Sequence, residues 1–356
     1  MIFICIPVHL DAVRVPNLLP LRSAAEAIQA QLKPGQMIVV SSAIAAGSTQ
    51  TLIRPLLEHG GLSAATDFDL AYVATREDAG RLDYSLTNTP LVIGGVSQQA
   101  IERGMRLLSG LGVRVHLAPS PDVAEMSKLL ESAFRSVNIA LINEMALLCE
   151  RLGIDIWEVI NAAQSKPFGY MPFTPGPGVG GQHIPVHTEL LAFKAREYDL
   201  HLPLLETATH INLGMPVHAI DLMERALSKA HLALQGAKII VVGVAYKRDV
   251  EDIHDSPGKR IIELLIKHGA QVSYNDPYVS RLEVGGTAVM PEKRSLVSIT
   301  LDESILELSH GVIIVTGHHA VDYANIVRHS RAVVDCCNAT GGLATATGKV
   351  IRLGAG

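Results

Sequence analysis

The sequence predicts an α/β protein with two Rossmann-like domains joined by a long helix. Short apolar runs alternate with helical stretches in 1–119, a helical pattern of about 30 residues follows, and new strand-like runs begin after 235. Strands that alternate with helices form a doubly wound parallel sheet. We therefore expect an N-terminal α/β domain at 1–119, a central helical domain at 120–230 and a C-terminal α/β domain at 231–356.

The strand-like segments of the N-terminal domain are short and apolar, as buried strands of a parallel sheet are. Helical periodicity is visible between them, at 22–32 and 97–111. The predicted strands are 2–7, 37–42, 69–74, 90–94 and 113–117.

A long helix is predicted over 120–152. Ser120 suits the N-cap, Pro121 the first turn, and Asp122 the positive end of the helix dipole. Apolar residues then recur with a period near 3.6, and Gly153 ends the helix. A helix this long and apolar needs neighbours on more than one side. We predict that it forms the spine of a homodimer; an interior helix of a monomer is the alternative.

The C-terminal domain begins where the pattern changes, after Gln235 and Gly236. One helix is predicted there, at 256–268. The predicted strands are 238–245, 271–275, 311–316 and 332–335.

Composition excludes several classes of partner. The chain has 356 residues, of which 48% are hydrophobic and 18% charged, as in globular proteins. A formal net charge of −5 argues against nucleic acid and against an anionic membrane surface. Four cysteines give no disulfide framework, and neither a signal peptide nor an apolar stretch of about 18 residues is present. We therefore expect a cytoplasmic protein with a small-molecule substrate.

The most informative stretch is PGPGVGGQHIPVH at 175–187. Its glycines let the backbone approach a ligand closely, because no Cβ intervenes, and its prolines stiffen the loop. Such a loop usually presents a nucleophile, and the presented position holds His183. We interpret the glycine loop at 175–181 as the floor of a pocket.

His183 and His187 flank Ile-Pro-Val and allow three interpretations. They could act in acid/base catalysis or substrate hydrogen bonding, hold a metal ion, or be structural. Zinc would need a continuous helix at this spacing, and Pro185 argues against one. No third ligand lies nearby in the sequence, so we predict no metal site.

From Ala124 to about Asp276 the chain resembles the UDP-glucose/GDP-mannose (nucleotide-sugar) dehydrogenase family, with UDP-N-acetylhexosamine 6-dehydrogenases as the most similar branch. The resemblance implies an N-terminal Rossmann domain, a long dimerising helix and a C-terminal domain that binds the nucleotide of the sugar. The motifs that carry it are SKLLESAFRSVNIALINEMALLCERLGID, SKPFGYMPFTPGPGVGG, GVAYKRDVEDIHDSP, GAQVSYNDPY, VTGHHAVDY and AVVDCCNAT.

The resemblance implies oxidation of a sugar C6 alcohol to the acid by two hydride transfers to NAD. In the family, a cysteine thiolate holds the aldehyde and the thioester that follows. His183 stands at the position of that cysteine, and His187 at that of an aspartate which assists water attack. An imidazole does not easily replace a thiolate, because thioester chemistry needs the nucleophilicity and leaving ability of sulfur.

Further departures concern polar groups that the family uses. Ala43 stands where the family has a catalytic threonine, Thr75 where it has a glutamate, and Ser132 where it has an asparagine. Lys128, which the resemblance makes an oxyanion-stabilising residue, is present, four residues before Ser132 on one helix face. Lys128 either keeps such a role or is an inherited lysine in a solvated cleft.

The groups expected to bind a dinucleotide are also changed. His254 and Cys337 replace two arginines of the family, and arginine is the preferred partner of phosphates. Residues 1–119 contain no GxGxxG turn, and Met1–Pro7 resembles the family's fourth strand. We therefore expect an N-terminally truncated domain, a lost NAD site and no cofactor.

Loss of redox groups on a retained scaffold favours an enzyme repurposed for non-redox chemistry. We predict cyclisation or isomerisation of a small organic molecule, such as a specialised metabolite, in the cleft between domains. Alanines at 43, 74 and 79 would enlarge that pocket. The alternatives are an NAD-dependent UDP-N-acetylhexosamine or UDP-glucose 6-dehydrogenase, and a non-catalytic binding or regulatory subunit.

Four side chains are predicted to be catalytic: Lys128, Ser132, His183 and His187. The predicted substrate-binding residues come from the glycine-loop motif and from GVAYKRD: Phe168, Tyr170, Phe173, Gly178, Gly180, Gly181 and Lys247.

Overall fold

The structure, a computed structural model, describes residues 1–11, 13–78, 80–81, 83–343 and 349–356. It divides into two compact units. The first comprises Met1–Arg135 and Gln182–Glu206, and the second comprises Ser136–Gly181 and Thr207–Gly356. These units are not the three predicted domains, whose boundaries stay a prediction.

The helices of the described residues include one π-helical turn, Thr49–Ile53. The α-helices are α1 (Leu19–Gln29), α2 (Arg54–Glu58), α3 (Gln98–Gly110), α4 (Pro121–Leu152), α5 (Ile156–Ala163), α6 (Ile184–Arg196), α7 (Pro203–Lys229), α8 (Pro257–Lys267), α9 (Glu303–Leu308) and α10 (Tyr323–His329). The strands are β1 (Ile2–Ile4), β2 (His9–Leu10), β3 (Pro16–Asn17), β4 (Met37–Val40), β5 (Asp69–Ala74), β6 (Leu91–Gly95), β7 (Val115–Leu117), β8 (Lys238–Val242), β9 (Gln271–Asn275), β10 (Arg281–Val284), β11 (Arg294–Val297), β12 (Gly311–Ile314), β13 (Val333–Asp335) and β14 (Val350–Arg352).

The first unit is built on a five-stranded sheet of order β1-β4-β5-β6-β7. Strands β1, β4 and β5 are parallel, and all residues of β4 and β5 are buried, as the apolar sequence predicts. One detail differs from an all-parallel sheet, because β6 runs antiparallel to β5. A parallel return needs a crossover, usually helical, and none of the described residues between these strands is helical.

The predicted long helix is confirmed as α4, which has 32 residues and passes from the first unit into the second at Ser136. Large apolar side chains along it remain exposed at the helical spacing expected of one stripe. They are Val123, Met126, Leu130, Phe134, Leu141, Leu148 and Leu152.

The second unit contains the other predicted Rossmann-like sheet, with the order β14-β13-β12-β8-β9 and all neighbours parallel. Its core joins apolar residues of β8, β12 and β13 to α7 and α8. A small antiparallel pair, β10 and β11, follows β9. In the part of the chain that the structure describes, no helix is both long and apolar enough to cross a bilayer.

Candidate functional site

The predicted catalytic residues lie in the first unit, and the predicted substrate-binding residues lie in the second. The catalytic candidates come from α4 and from the start of α6. The substrate-binding candidates come from residues 168–181, which include the glycine loop, and from the loop after β8.

Lys128 is a buried lysine on α4, with 7% of its surface exposed. Its Nζ donates a hydrogen bond to Oγ1 of Thr75, 3.0 Å away, just beyond the carboxyl end of β5. Burial lowers the pKa of Lys128, and the nearby Glu131 and Glu77 act in the opposite direction. The amine is therefore held where its uncharged form is easier to reach than in water.

Ser132 and His187 form the central contact of this group. Ser132 Oγ lies 2.7 Å from Nδ1 of His187, which is buried in the first turn of α6. Nε2 of the same ring is buried and has no hydrogen-bond partner. Burial above all, with the positive charges of Lys128 and His183, lowers the pKa of His187 to about 3. The ring is therefore neutral, with one nitrogen left for a ligand or a water molecule.

His183 is exposed and occupies the N-cap of α6. Its ring centroid lies 5.5 Å from that of His187. The expectation that Pro185 prevents a helix here is wrong, because proline is tolerated in a first turn. Within the described ranges, no three His, Cys, Asp or Glu side chains are grouped to hold a metal ion.

Glu125 is a site residue that the sequence analysis missed. It is fully buried on α4, and its carboxylate accepts the backbone N–H groups of Gly47 and Thr49 at 2.5 and 2.8 Å. Burial, as the largest cause, raises its pKa to about 7. An acidic residue one turn before Lys128 on an otherwise apolar face was the available signal. Glu125 fixes the start of the segment 47–58 against α4.

Two of the alanines expected to enlarge a pocket pack against other apolar residues. Ala43 packs on a cluster formed by Val8, Leu129 and Leu190, and Ala74 is buried within β5. Both positions belong to the packed interior of the first unit. Ala79 lies outside the described residues.

In the second unit, the glycines serve close packing of the protein on itself. A Cβ at Gly180 would lie 2.8 Å from Tyr246 Cβ and from the carbonyl oxygen of Asp255. A Cβ at Gly181, where φ is +86°, would lie 2.7 Å from the Tyr246 ring. Gly178 has φ +132°, and a Cβ there would lie 3.3 Å from Pro257 Cγ. The loop is thus pressed against the segment that precedes α8, and the expected ligand contact stays a prediction.

Two buried asparagines hold the start of this loop. The N–H of Gly176 donates to Oδ1 of Asn143 at 2.9 Å. Nδ2 of Asn143 donates to Oδ1 of Asn212 at 3.0 Å, and Nδ2 of Asn212 donates to the carbonyl of Ser136 at 3.1 Å. These contacts join residues far apart in the sequence, so the sequence analysis did not find them.

The remaining substrate-binding candidates are accessible. Phe168 is 71% exposed and lies under the ammonium of Lys166, 5.0 Å from its ring centroid. Tyr170 is exposed, and Phe173 is half-buried. Lys247 is half-buried in the loop after β8.

A buried network supports the loop that carries Lys247. Asp276 accepts the N–H groups of Val244 and Ala245 at 2.7 and 2.9 Å. His318 lies 3.1 Å from the same carboxylate through Nε2, and its Nδ1 accepts the N–H of Asp249 at 2.9 Å. Asp276 lies in the motif GAQVSYNDPY and His318 in VTGHHAVDY, and neither motif by itself predicts this contact.

Comparison with known proteins gives three family matches in order along the chain. Residues 1–111 match the NAD binding domain of the UDP-glucose/GDP-mannose dehydrogenase family. Residues 122–213 match its central domain, and residues 240–342 match its UDP binding domain. Together these matches cover both units.

Individual relatives agree with these matches. The chain is 35% identical to UDP-N-acetyl-D-mannosamine dehydrogenase of Pyrococcus horikoshii over 265 residues, which is 74% of this chain and 62% of that protein. It is 31% identical to UDP-N-acetyl-D-glucosamine 6-dehydrogenase of Pseudomonas aeruginosa over 279 residues, which is 78% of this chain and 66% of that protein. The match therefore spans less than two thirds of either relative.

A solved structure of UDP-D-ManNAc dehydrogenase from Pyrococcus horikoshii superposes with a TM-score of 0.86 at 30% identity. The superposition covers 100% of this chain and 81% of that one. It confirms the α/β fold with a long central helix and two Rossmann-like sheets.

Two predictions are corrected by these similarities. The expectation of no cofactor is wrong, because the first 111 residues match an NAD binding domain. The expectation of a non-redox cyclase or isomerase is also wrong, because the similar proteins are named as dehydrogenases. Substitutions of single side chains therefore do not show that the surrounding domains have lost their function.

Proposed function

The chain belongs to the UDP-glucose/GDP-mannose dehydrogenase family, and we propose that it acts as an NAD-dependent dehydrogenase on the C6 alcohol of a UDP-sugar. UDP-N-acetylhexosamines and UDP-glucose are the proposed substrate class. The observation that carries the proposal is the order of the three matches, with an NAD binding, a central and a UDP binding domain on one chain.

NAD fits the carboxyl edge of the first sheet, where β1, β4 and β5 end. Doubly wound sheets bind dinucleotides outside this edge. Arg76, just after β5, has a buried Nε without a hydrogen-bond partner, while its other nitrogens contact Pro90 and Glu131. We propose that Arg76 and Thr75 face the cofactor. Residues 1–119 contain no GxGxxG turn, so we assign the pyrophosphate to no residue there. When bound, NAD would accept a hydride from the sugar carbon.

The residues around Lys128 suit the oxygen of the reacting alcohol. We propose that the ammonium form of Lys128 donates to this oxygen and stabilises negative charge on it. Neutral His187, oriented by Ser132, offers Nε2 as the second hydrogen-bonding atom. Exposed His183, at the start of the same helix, would take the proton towards solvent. Lys247, in the residues that match a UDP binding domain, is the cation that we propose for a uridine diphosphate.

The test is NADH formation by the purified full chain with NAD and each of UDP-glucose, UDP-N-acetylglucosamine and UDP-N-acetylmannosamine. We expect NADH with at least one sugar nucleotide and loss of this signal in Lys128→Ala. Lys33→Ala removes an exposed lysine of the same unit and should leave the rate unchanged. No NADH with any of the three, together with no thermal stabilisation by NAD, would contradict the proposal.

We also propose a homodimer formed through α4, which the exposed apolar stripe supports. Single exposed apolar side chains are ordinary, whereas a continuous stripe along a helix marks an interaction surface. A cytoplasmic location is proposed as well, and the four free cysteines support it.

A further inference from the structure

Lys128 is exceptional among the cations of this protein. In the described part of the chain, no other lysine or arginine is buried. Nor does any carboxylate there lie within ion-pair distance of its Nζ, whose hydrogen-bond partner is the hydroxyl of Thr75. Glu125 and Glu131 are equally near along α4: Glu125 accepts the N–H groups of Gly47 and Thr49, and Glu131 is paired with Arg76. A buried ammonium with a neutral partner is costly, so the uncharged amine is easier to reach here than in water.

The uncharged form of a lysine is a nucleophile towards carbonyl carbon, and desolvation is one of the ways in which proteins activate it. Burial lowers the pKa of Lys128, in agreement with its geometry. The neighbouring imidazole of His187 is neutral and brings no negative charge that would stabilise the ammonium form. The charges of Glu131 and Glu77 act against this lowering of the pKa, but burial is the larger effect.

Carbonyl addition needs proton transfers, and Ser132 and His187 are the groups that can carry them out. Ser132 follows Lys128 by one helical turn and contacts Nδ1 of His187 at 2.7 Å. His187 Nε2 is a buried polar atom that lacks a partner. A hydroxyl and a neutral imidazole can pass a proton between nitrogen and oxygen without creating a second positive charge beside the lysine.

We propose that Lys128 forms a reversible imine with an aldehyde, and that this aldehyde is the C6 aldehyde of the UDP-sugar. The second half of this proposal rests on the proposed function, which produces that aldehyde from the alcohol. In the step, Nζ bonds to the carbonyl carbon, both amine protons pass to the carbonyl oxygen, and that oxygen leaves as water. No oxidation or reduction takes place, and hydrolysis of the imine restores the amine. The bound aldehyde is thereby retained on the enzyme.

The test traps the imine by reduction. The full chain is incubated with UDP-glucose 6-aldehyde and sodium cyanoborohydride, and the product is analysed by intact mass and peptide mapping. We expect a mass gain equal to the aldehyde less one oxygen atom, located on Lys128. Labelling of Lys128 should exceed that of exposed Lys33, because burial lowers the pKa of Lys128 and raises its share of neutral amine. No adduct on Lys128, or equal labelling of both lysines, would overturn the imine.

Variants and a second reaction separate the two proposals. Lys128→Arg keeps the cation and should abolish the adduct, while Lys33→Arg should leave the labelling of Lys128 unchanged. The second reaction contains UDP-glucose, NAD and cyanoborohydride in place of the aldehyde. An adduct in both reactions supports the imine and the dehydrogenase together. An adduct with the aldehyde alone supports the imine and counts against oxidation of UDP-glucose. Mapping the wild-type chain makes the result independent of whether any variant folds.

Discussion

Ser132 Oγ lies 2.7 Å from His187 Nδ1, and this contact joins α4 to α6 across 55 residues of sequence. It holds a buried imidazole whose other nitrogen has no partner. Buried polar atoms are nearly always hydrogen-bonded, so an exception beside a buried lysine marks a place for a ligand or a water molecule.

Ser132→Ala should destabilise the protein by about 1–3 kcal/mol, because both ring nitrogens of His187 are then buried without a partner. Urea unfolding of the purified variant measures this change. Ser127→Ala on the same helix is the matched control, since its hydroxyl bonds only to the helix carbonyl of Ala124. We expect the control to lose less than half as much. Equal losses would show that the Ser132–His187 contact contributes nothing specific.

Glu125 should make the protein less stable as the pH rises from about 4.5 to about 7. Its pKa is higher in the folded state than in the unfolded chain, so the folded state binds the proton more tightly. The stabilisation is complete below the unfolded pKa and is lost as the pH passes through the folded value. Glu125→Gln keeps an acceptor for the amide of Gly47 or Thr49. Between pH 5 and pH 8, the free energy of unfolding of the variant should rise by about 1–3 kcal/mol relative to that of the wild type, as measured by urea unfolding. A constant difference across this range would refute the assignment.

His187 should have the opposite effect on the pH dependence of stability: it should make the protein less stable as the pH falls. Its pKa is lower in the folded state, about 3 against 6.5, so its contribution is present above pH 6.5 and is lost as the pH falls towards 3. His187→Asn removes this loss while keeping a polar partner for Ser132. The variant should therefore be relatively more stable near pH 4.5 than near pH 7.5, by about 1–2 kcal/mol. Exposed His59→Asn serves as the control and should show much less of this trend.

Gly181→Ala should destabilise the second unit by about 2 kcal/mol or more, because the residue has a positive φ and its Cβ would meet the Tyr246 ring. Gly214→Ala is the matched control, since Gly214 lies within α7 with open space at its Cβ. The control should stabilise the protein by about 0.5–1 kcal/mol through helix propensity. Thermal unfolding of both variants checks the prediction, which fails if Gly181→Ala unfolds at the wild-type temperature.

Leu130→Glu should weaken the proposed homodimer. Leu130 is 64% exposed in the apolar stripe of α4, and a charge there would be buried by a partner subunit. Leu308→Glu places the same charge at a residue that is 66% exposed outside the stripe. Sedimentation analysis should show a dimer for the wild type and the control, and a monomer for Leu130→Glu. A dimer in all three would place the interface elsewhere, and a monomeric wild type would exclude it.

Local patterns in the sequence determined much of the fold. Apolar runs located the strands, and the 3.6-residue period with its cap located α4, because the free energy of these elements depends on neighbouring residues. The family was recognised from sequence motifs, and the same motifs led to the prediction that Lys128, Ser132, His183 and His187 are catalytic. Residue substitution alone led to the wrong conclusion about the cofactor and the reaction, which the matched domains corrected.

Tertiary structure alone decided how the named residues meet. The sequence could not show that Ser132 contacts His187, that Thr75 is the partner of Lys128, or that Glu125 is buried on two backbone amides. Nor could it show that β6 runs antiparallel to β5. These features depend on residues that are distant along the chain, and their energies arise from burial and from hydrogen bonds that form only when the chain has folded. Periodicity predicts which face of a helix or strand is buried, but it does not predict which side chain of another element will contact that face.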